Sequence, residues 1–264
     1  GIMDYDNRIE DVRLDWEIMA HTSCGQTYSI KHGSIGTFKR TQNKTKKDID
    51  RDSNRERFTY AHGVKNSVWD ILKDIIYTPL QGESGVYYDI DITVIDTGHF
   101  TKLANNFISS IKDRRVFGIK GLGEDNYRKM DKNSPMITHS RENKGLLYLL
   151  DVNLIKDIIA NNMALKKGMD DSQPNGYMNF PQPAEGKYNL NNYFSHYEAE
   201  HRVPKIVNDV EVGYAWKKKR ENNHFFDVSV YNYAAREIFI ADLKLYDSRY
   251  KDITWQGYCD HINM

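Results

Sequence analysis

Apolar and polar positions alternate in several parts of the chain, and the alternation marks strands, because successive side chains leave a strand on opposite faces. In residues 12–20 (VRLDWEIMA), Val12, Leu14, Trp16 and Ile18 share a face. Cys24, Gly25 and Gln26 turn the chain, and residues 27–35 read as the next strand. With Ile2 and Met3 leading to Asp4, these stretches predict an antiparallel three-strand meander. The longest alternating run is 86–100, VYYDIDITVIDTGHF, in which Val86, Tyr88, Ile90, Ile92 and Val94 line one face of a single strand ending at Asp96. Gly98 then lets the backbone turn sharply.

Elsewhere the apolar period is helical. Residues 66–77 carry Val68, Ile71, Leu72, Ile75 and Ile76 on one face, with Asn66 or Ser67 as cap. Residues 100–114 present Leu103, Phe107, Ile108 and Ile111, and residues 153–164 present Leu154, Ile155, Ile158, Ile159 and Met163. Between these helices, residues 116–119 (VFGI) and 146–150 read as short buried strands. A strand–helix–strand succession implies a right-handed crossover and a parallel pair. The polar stretch 124–141 reads as a loop, 168–186 as irregular with an extended GYMNFP at 176–181, and 191–200 as a short helix. Residues 203–207 and 209–216 read as a hairpin. In WKKKRENNHFFDVSVYNYAAR (216–236), four cations lead into a helix with His224, Asp227 and Tyr231 on one face and Val228, Ala235 and Phe239 as the neighbouring apolar stripe, which Phe225 and Ile238 can join. Residues 243–264 read as a packing extension or as a contact to a further domain. The expected class is α/β: a mixed sheet, an antiparallel meander plus parallel strands, flanked by helices.

With 264 residues, 39% hydrophobic and 12% aromatic, the chain has enough apolar material for a core. Neither a membrane span nor a signal peptide is visible, and the abrupt start at Gly1 suggests a piece of something longer. Thirty-seven basic and 37 acidic side chains cancel, so any attraction for nucleic acid must be local. Residues 37–57 hold eight Lys or Arg, among them Lys39, Arg40, Lys46 and Lys47, against four acidic residues. They form either a solvated loop or an arm that touches phosphates. The run Lys217, Lys218, Lys219 and Arg220 has the same two readings, with DNA favoured because it leads directly towards Asp227. Cys24 and Cys259 have no metal-binding spacing and read as reduced thiols.

Asp96, at the C-terminal end of a strand, is either a helix cap or a ligand where α/β folds place ligands. Asp227, on a helix packed against the sheet, requires a neutralising cation: a Lys or Arg partner, or a metal. Together with Asp4 they form a set of three carboxylates. Phosphodiester hydrolysis with two divalent ions needs such a set, and Mg²⁺ and Mn²⁺ favour carboxylate oxygen.

DTGHFTKLANNFI (96–108), VFGIKG (116–121), NGYMNFP (175–181), YFSHYEAEHRV (193–203) and above all WKKKRENNHFFDVSVYNYAA (216–235) occur in this order. They resemble the C-terminal nuclease domain of the large terminase subunit of tailed bacteriophages, of the lambda-like GpA type. The resemblance implies a ribonuclease-H-like fold and a DNA endonuclease that cuts concatemeric viral DNA during packaging, with two Mg²⁺ or Mn²⁺ ions. It makes Asp4, Asp96 and Asp227 the metal ligands. Many relatives have Glu after the Asn of the last motif, where this chain has His224, which can ligate the metal or orient a water. The implied partners are double-stranded DNA and, in an intact protein, an N-terminal ATPase domain, the small terminase subunit and the portal, with no membrane. The implied place is the host cytoplasm during virus assembly. No GxxxxGK[ST] loop occurs, so residues 1–264 read as one nuclease domain without the ATPase motor, with a basic insertion at 38–57 and an extension at 243–264. Two alternatives stand beside this reading: a ribonuclease-H-like junction resolvase, and a non-catalytic module that docks on DNA or portal.

Overall fold

The structure, a computed structural model, describes residues 13–36, 58–98, 101–123, 136–139, 147–182, 190–220 and 222–262. Asp4 and the basic arm with Lys39, Arg40, Lys46 and Lys47 lie outside the described residues. The chain divides into two compact units, 1–16 with 33–90 and 17–32 with 91–264.

In the first unit, helix α1 (Val68–Tyr77) buries Val68, Trp69, Leu72 and Ile76 and is capped by Ser67, whose hydroxyl accepts from the Asp70 N–H at 3.3 Å. Strands β3 (Leu80–Gln81) and β4 (Tyr87–Tyr88) form a small antiparallel hairpin around a turn closed by the Gly82 N–H on the Val86 carbonyl at 2.8 Å. The single strand expected over 86–96 is therefore two. Val86, Tyr87 and Tyr88 belong to this exposed hairpin, and only Thr93–Asp96 enters the main sheet. Alternation continues across the break because both pieces are extended.

The second unit holds two sheets of three or more strands and a two-stranded ribbon at 200–218 among the described residues. Strands β1 (Arg13–His21) and β2 (Thr27–Gly36), which continue into the first unit, are joined by a turn closed by the Thr22 N–H on the Gln26 carbonyl at 2.9 Å. Their third described partner is β9 (Met178–Asn179), which pairs parallel to β2 with Thr27 opposite Met178. The second sheet has the order β5-β6-β8-β7, where β5 is Thr93–Asp96, β6 Val116–Leu122, β8 Leu147–Asp151 and β7 Ile137–His139. β5, β6 and β8 are parallel, as the crossover implies; β7 is antiparallel to β8. Thus the hairpin and the parallel strands occupy separate sheets among the described residues. The stretch expected as a loop over 124–141 contributes an edge strand, too short for a period to reveal.

Helix α2 (Thr101–Ile111) buries Ala104, Phe107 and Ile108 and packs on β6. Helix α3 (Val152–Met163) follows β8 directly and is capped by Asp151, whose Oδ1 accepts from the Leu154 N–H at 3.1 Å. Helix α4 (Leu190–Tyr197) leads into the hairpin of β10 (Glu200–Val207) and β11 (Val210–Lys218). The central element is α5 (His224–Tyr246). It begins after the four cations, as the sequence reading has it, with Lys217 and Lys218 finishing β11, and it runs on to Tyr246. Its most buried stripe is Phe226, Val230, Ala234 and Ile238 at four-residue spacing; of the residues read as apolar stripe, Phe225, Ala235 and Ile238 are buried, while Val228 and Phe239 are only partly so. Phe239 instead turns to Trp255 and Tyr258 of α6 (Trp255–Ile262), so the segment after 243 is helical packing. The core joins this stripe to Phe117, Ile119, Tyr148 and Leu150 of the sheet, to Ile155 and Ile159 of α3, and to Tyr193 and Tyr197 of α4. α5 therefore lies against α3, α4 and the β5 end of the sheet.

Candidate functional site

Strand β5 ends where its parallel neighbour holds it: the Thr97 N–H and hydroxyl both donate to the Ile119 carbonyl, at 2.8 and 3.0 Å. This leaves the exposed carboxylate of Asp96 at the C-terminal edge of the sheet. Its Oδ1 accepts from the Gly98 N–H at 2.8 Å, and its Oδ2 from the Tyr231 hydroxyl of α5 at 3.0 Å. A Cβ at Gly98 would sit 3.1 Å from Asp96 Oδ1, tighter than an ordinary contact, so the carboxylate would have to shift by a few tenths of an ångström.

Tyr231 stands one turn beyond Asp227 on α5, so the two aspartates face the same region. Burial first, and then the charges of Asp96, Asp227 and Glu200, push the Tyr231 phenol well above its ordinary range. It is therefore a fixed hydrogen-bond donor to Asp96 at any physiological pH. The Asp227 carboxylate is held on both oxygens. Lys156 Nζ of α3 lies 3.0 Å from Oδ1, and the Asn223 side-chain amide donates to Oδ2 at 2.6 Å. Lys156 in turn donates to both oxygens of Glu200, at 2.9 and 2.8 Å, and the Asn223 amide also donates to Glu200 Oε1. Lys218 Nζ donates to Asn223 Oδ1 at 3.0 Å and so closes the cluster at the end of β11. The Asp227 carboxyl is raised above the usual range chiefly by burial; Lys156 and Lys218 oppose that shift and Glu200 adds to it.

Of the two readings open for Asp227, the lysine partner is realised. That partner does not close Asp227 off: its side chain is 29% exposed, against 4% for Glu200. Asn223 precedes α5 without capping it through its side chain, because that amide and oxygen serve Glu200, Asp227 and Lys218 instead. His224, the first residue of α5, stacks edge-on to the buried His196 ring at 5.8 Å between centroids. His196 Nδ1 accepts from the Phe225 N–H at 3.2 Å.

The structure thus brings Asp96, Asp227 and Lys218 together. Lys217, Lys219 and Arg220 lie exposed at the β11 end, with Arg220 Nη1 3.6 Å from Glu198 Oε2. Sequence reasoning missed Lys156, Glu200 and Asn223. Glu200 lies in the segment AEHRV, whose acidic residue was visible, but nothing marked Lys156 as buried, since lysines are almost always solvated.

For a divalent cation the donor chemistry fits in part. Asp96 and Asp227 offer hard carboxylate oxygens to solvent, the type that Mg²⁺ and Mn²⁺ favour. Among the described residues, no three His, Cys, Asp or Glu side chains are gathered as a metal-holding group. Nor is any described helix long and apolar enough to cross a membrane. The family model of the terminase large subunit gpA endonuclease domain matches residues 6–247. No curated protein and no solved structure gives a significant match.

Proposed function

The chain belongs to the endonuclease-domain family of terminase large subunits, and from that membership we propose a divalent-cation-dependent endonuclease that cuts concatemeric viral DNA during genome packaging. The observation that carries the site assignment is that Asp96 is bonded by Tyr231, which stands one turn beyond Asp227 on α5: one carboxylate from the sheet edge and one from the helix, both reachable from solvent. In this reading Asp96 and Asp227 hold Mg²⁺ or Mn²⁺, with Asp4 as the third carboxylate and two ions per site once substrate phosphate completes the coordination. His224 is the proposed further ligand or water-orienting group. A divalent cation bound there supplies the Lewis acidity that hydrolysis of a phosphodiester requires.

The residues of the chain prepare that position. Tyr231 and the Gly98 N–H orient Asp96, while Lys156 and Asn223 orient Asp227. Lys217, Lys218, Lys219 and Arg220, with Lys39, Arg40, Lys46 and Lys47 of the arm, are the proposed contacts to duplex phosphates. Within an intact terminase the domain would act beside an ATPase domain, the small subunit and the portal, in the host cytoplasm.

Supercoiled plasmid incubated with Mn²⁺ tests the reading. Asp96→Ala and Asp227→Ala are each expected to lower the nicking rate by more than about a hundredfold while keeping the fold. Undiminished nicking in both variants would overturn it.

A further inference from the structure

Lys156 is the deepest cation of the site, and its surroundings assign it a narrow task. Its ammonium contacts both oxygens of Glu200 and Oδ1 of Asp227, and it lies 5.2 Å from the centre of the Phe226 ring. With 8% of its side chain exposed, it cannot reach a phosphate outside without leaving both carboxylates. Glu200 is equally enclosed: Lys156 and Asn223 take its oxygens, and 4% of the side chain meets solvent. The two carboxylates that share Lys156 therefore differ in kind. Asp227 is partly open to solvent, whereas Glu200 is enclosed by the ammonium and the Asn223 amide.

Resting on the endonuclease reading above, we propose that Lys156 is a positioning residue. Clamped by the buried Glu200, it fixes the direction in which Asp227 presents its carboxylate, and Glu200 is its anchor rather than a ligand of the cation. Asn223 is the second strut, on Oδ2, itself held by Lys218. An ammonium on one oxygen and an amide on the other leave the carboxylate one orientation. That orientation is carried by α3 and the start of α5, not by a loop.

The test uses the full chain, plasmid DNA and Mn²⁺. In the double variant Lys156→Met with Glu200→Gln the fully buried pair is neutralised together, and Asp227 keeps the Asn223 amide and its access to solvent, so the fold should survive, as thermal unfolding will show. Its kcat at saturating Mn²⁺ is expected to fall by about tenfold or more, because a small misplacement of a reacting group is costly. The KM for plasmid should stay unchanged, and Mn²⁺ affinity measured by calorimetry should not weaken, since a neighbouring cation has been removed. Lys156→Arg keeps the charge but moves it, because guanidinium is a planar fork rather than a point, and should turn over at an intermediate rate. A wild-type kcat in the folded double variant overturns the assignment. So does a wild-type kcat in Lys156→Arg, whether or not the double variant folds. If nicking is lost in Asp227→Asn but not in these variants, Lys156 alone has been misassigned. If the unaltered chain nicks nothing at any Mn²⁺ concentration, the endonuclease reading fails and this inference with it.

Discussion

Glu17 shows how much a single buried carboxyl can do away from the site. It accepts from the Ser29 hydroxyl at 2.6 Å and the Tyr193 hydroxyl at 2.8 Å, while Tyr197 and Ser229 extend the hydroxyl chain. Burial outweighs these bonds and pushes the carboxyl up to about 7 from an ordinary 4.5. The folded chain therefore keeps a proton that the unfolded chain releases across that window. Stability is full below about pH 4.5 and declines as pH rises towards 7, by on the order of 3 kcal/mol once Glu17 is ionised. Glu17→Gln keeps an acceptor for Tyr193 and cannot ionise, so its unfolding free energy in urea should exceed the wild type's at pH 8 and match it more closely at pH 5. Equal pH slopes in the two proteins would refute the assignment. At this scale, Asp96 and Asp227 were legible because a strand end and a helix face are local patterns. Lys156 and Glu200 were not: they are 44 positions apart, and only packing brings them together.

Among elements, the hairpin β10–β11 joins the site to the surface. Its two-residue turn has Asn208 and Asp209 both at positive φ, 51° and 60°, the geometry that matches strand twist. Ile206, Val207, Val210 and Val212 near the turn are exposed. The other end is fastened to α3 through Asp157, which accepts from Trp216 Nε1 at 2.9 Å and pairs with Arg202 at 3.0 Å. Removing these partly exposed bonds by Asp157→Ala should cost about 1 kcal/mol locally, so amide exchange in residues 202–216 should quicken about fivefold. Exchange unchanged there would show that Asp157 does not hold the hairpin. Helices α1, α2 and α3 were readable because one apolar face repeats at the helical period over ten residues or more. The break between β4 and β5 was not, because alternation reports extended backbone and carries no mark of which sheet each piece joins. Gly82 and Gly85 lie in the turn before β4, but no glycine or proline separates Tyr88 from Thr93.

For the molecule as a whole, a formal net charge of zero leaves attraction for DNA to local features, and the cations closing β11 are the described group adjoining the acidic cluster. Family membership supplied the functional class, while the pattern of strands and helices specified only a mixed α/β protein. The partition of the strands into separate sheets depends on pairings such as Thr27 with Met178, which no periodicity encodes. The phenols that line the interior have a spectroscopic consequence. Of eighteen tyrosines, Tyr148, Tyr193, Tyr197 and Tyr231 all resist ionisation, each chiefly through burial. In an alkaline titration followed by phenolate absorbance at about 295 nm, these four should remain dark as long as the fold holds. Their absorbance should appear only as a late, cooperative step coincident with loss of the helical circular dichroism signal. A smooth single titration of every tyrosine would mean that water reaches the hydroxyl chain between Glu17 and α5.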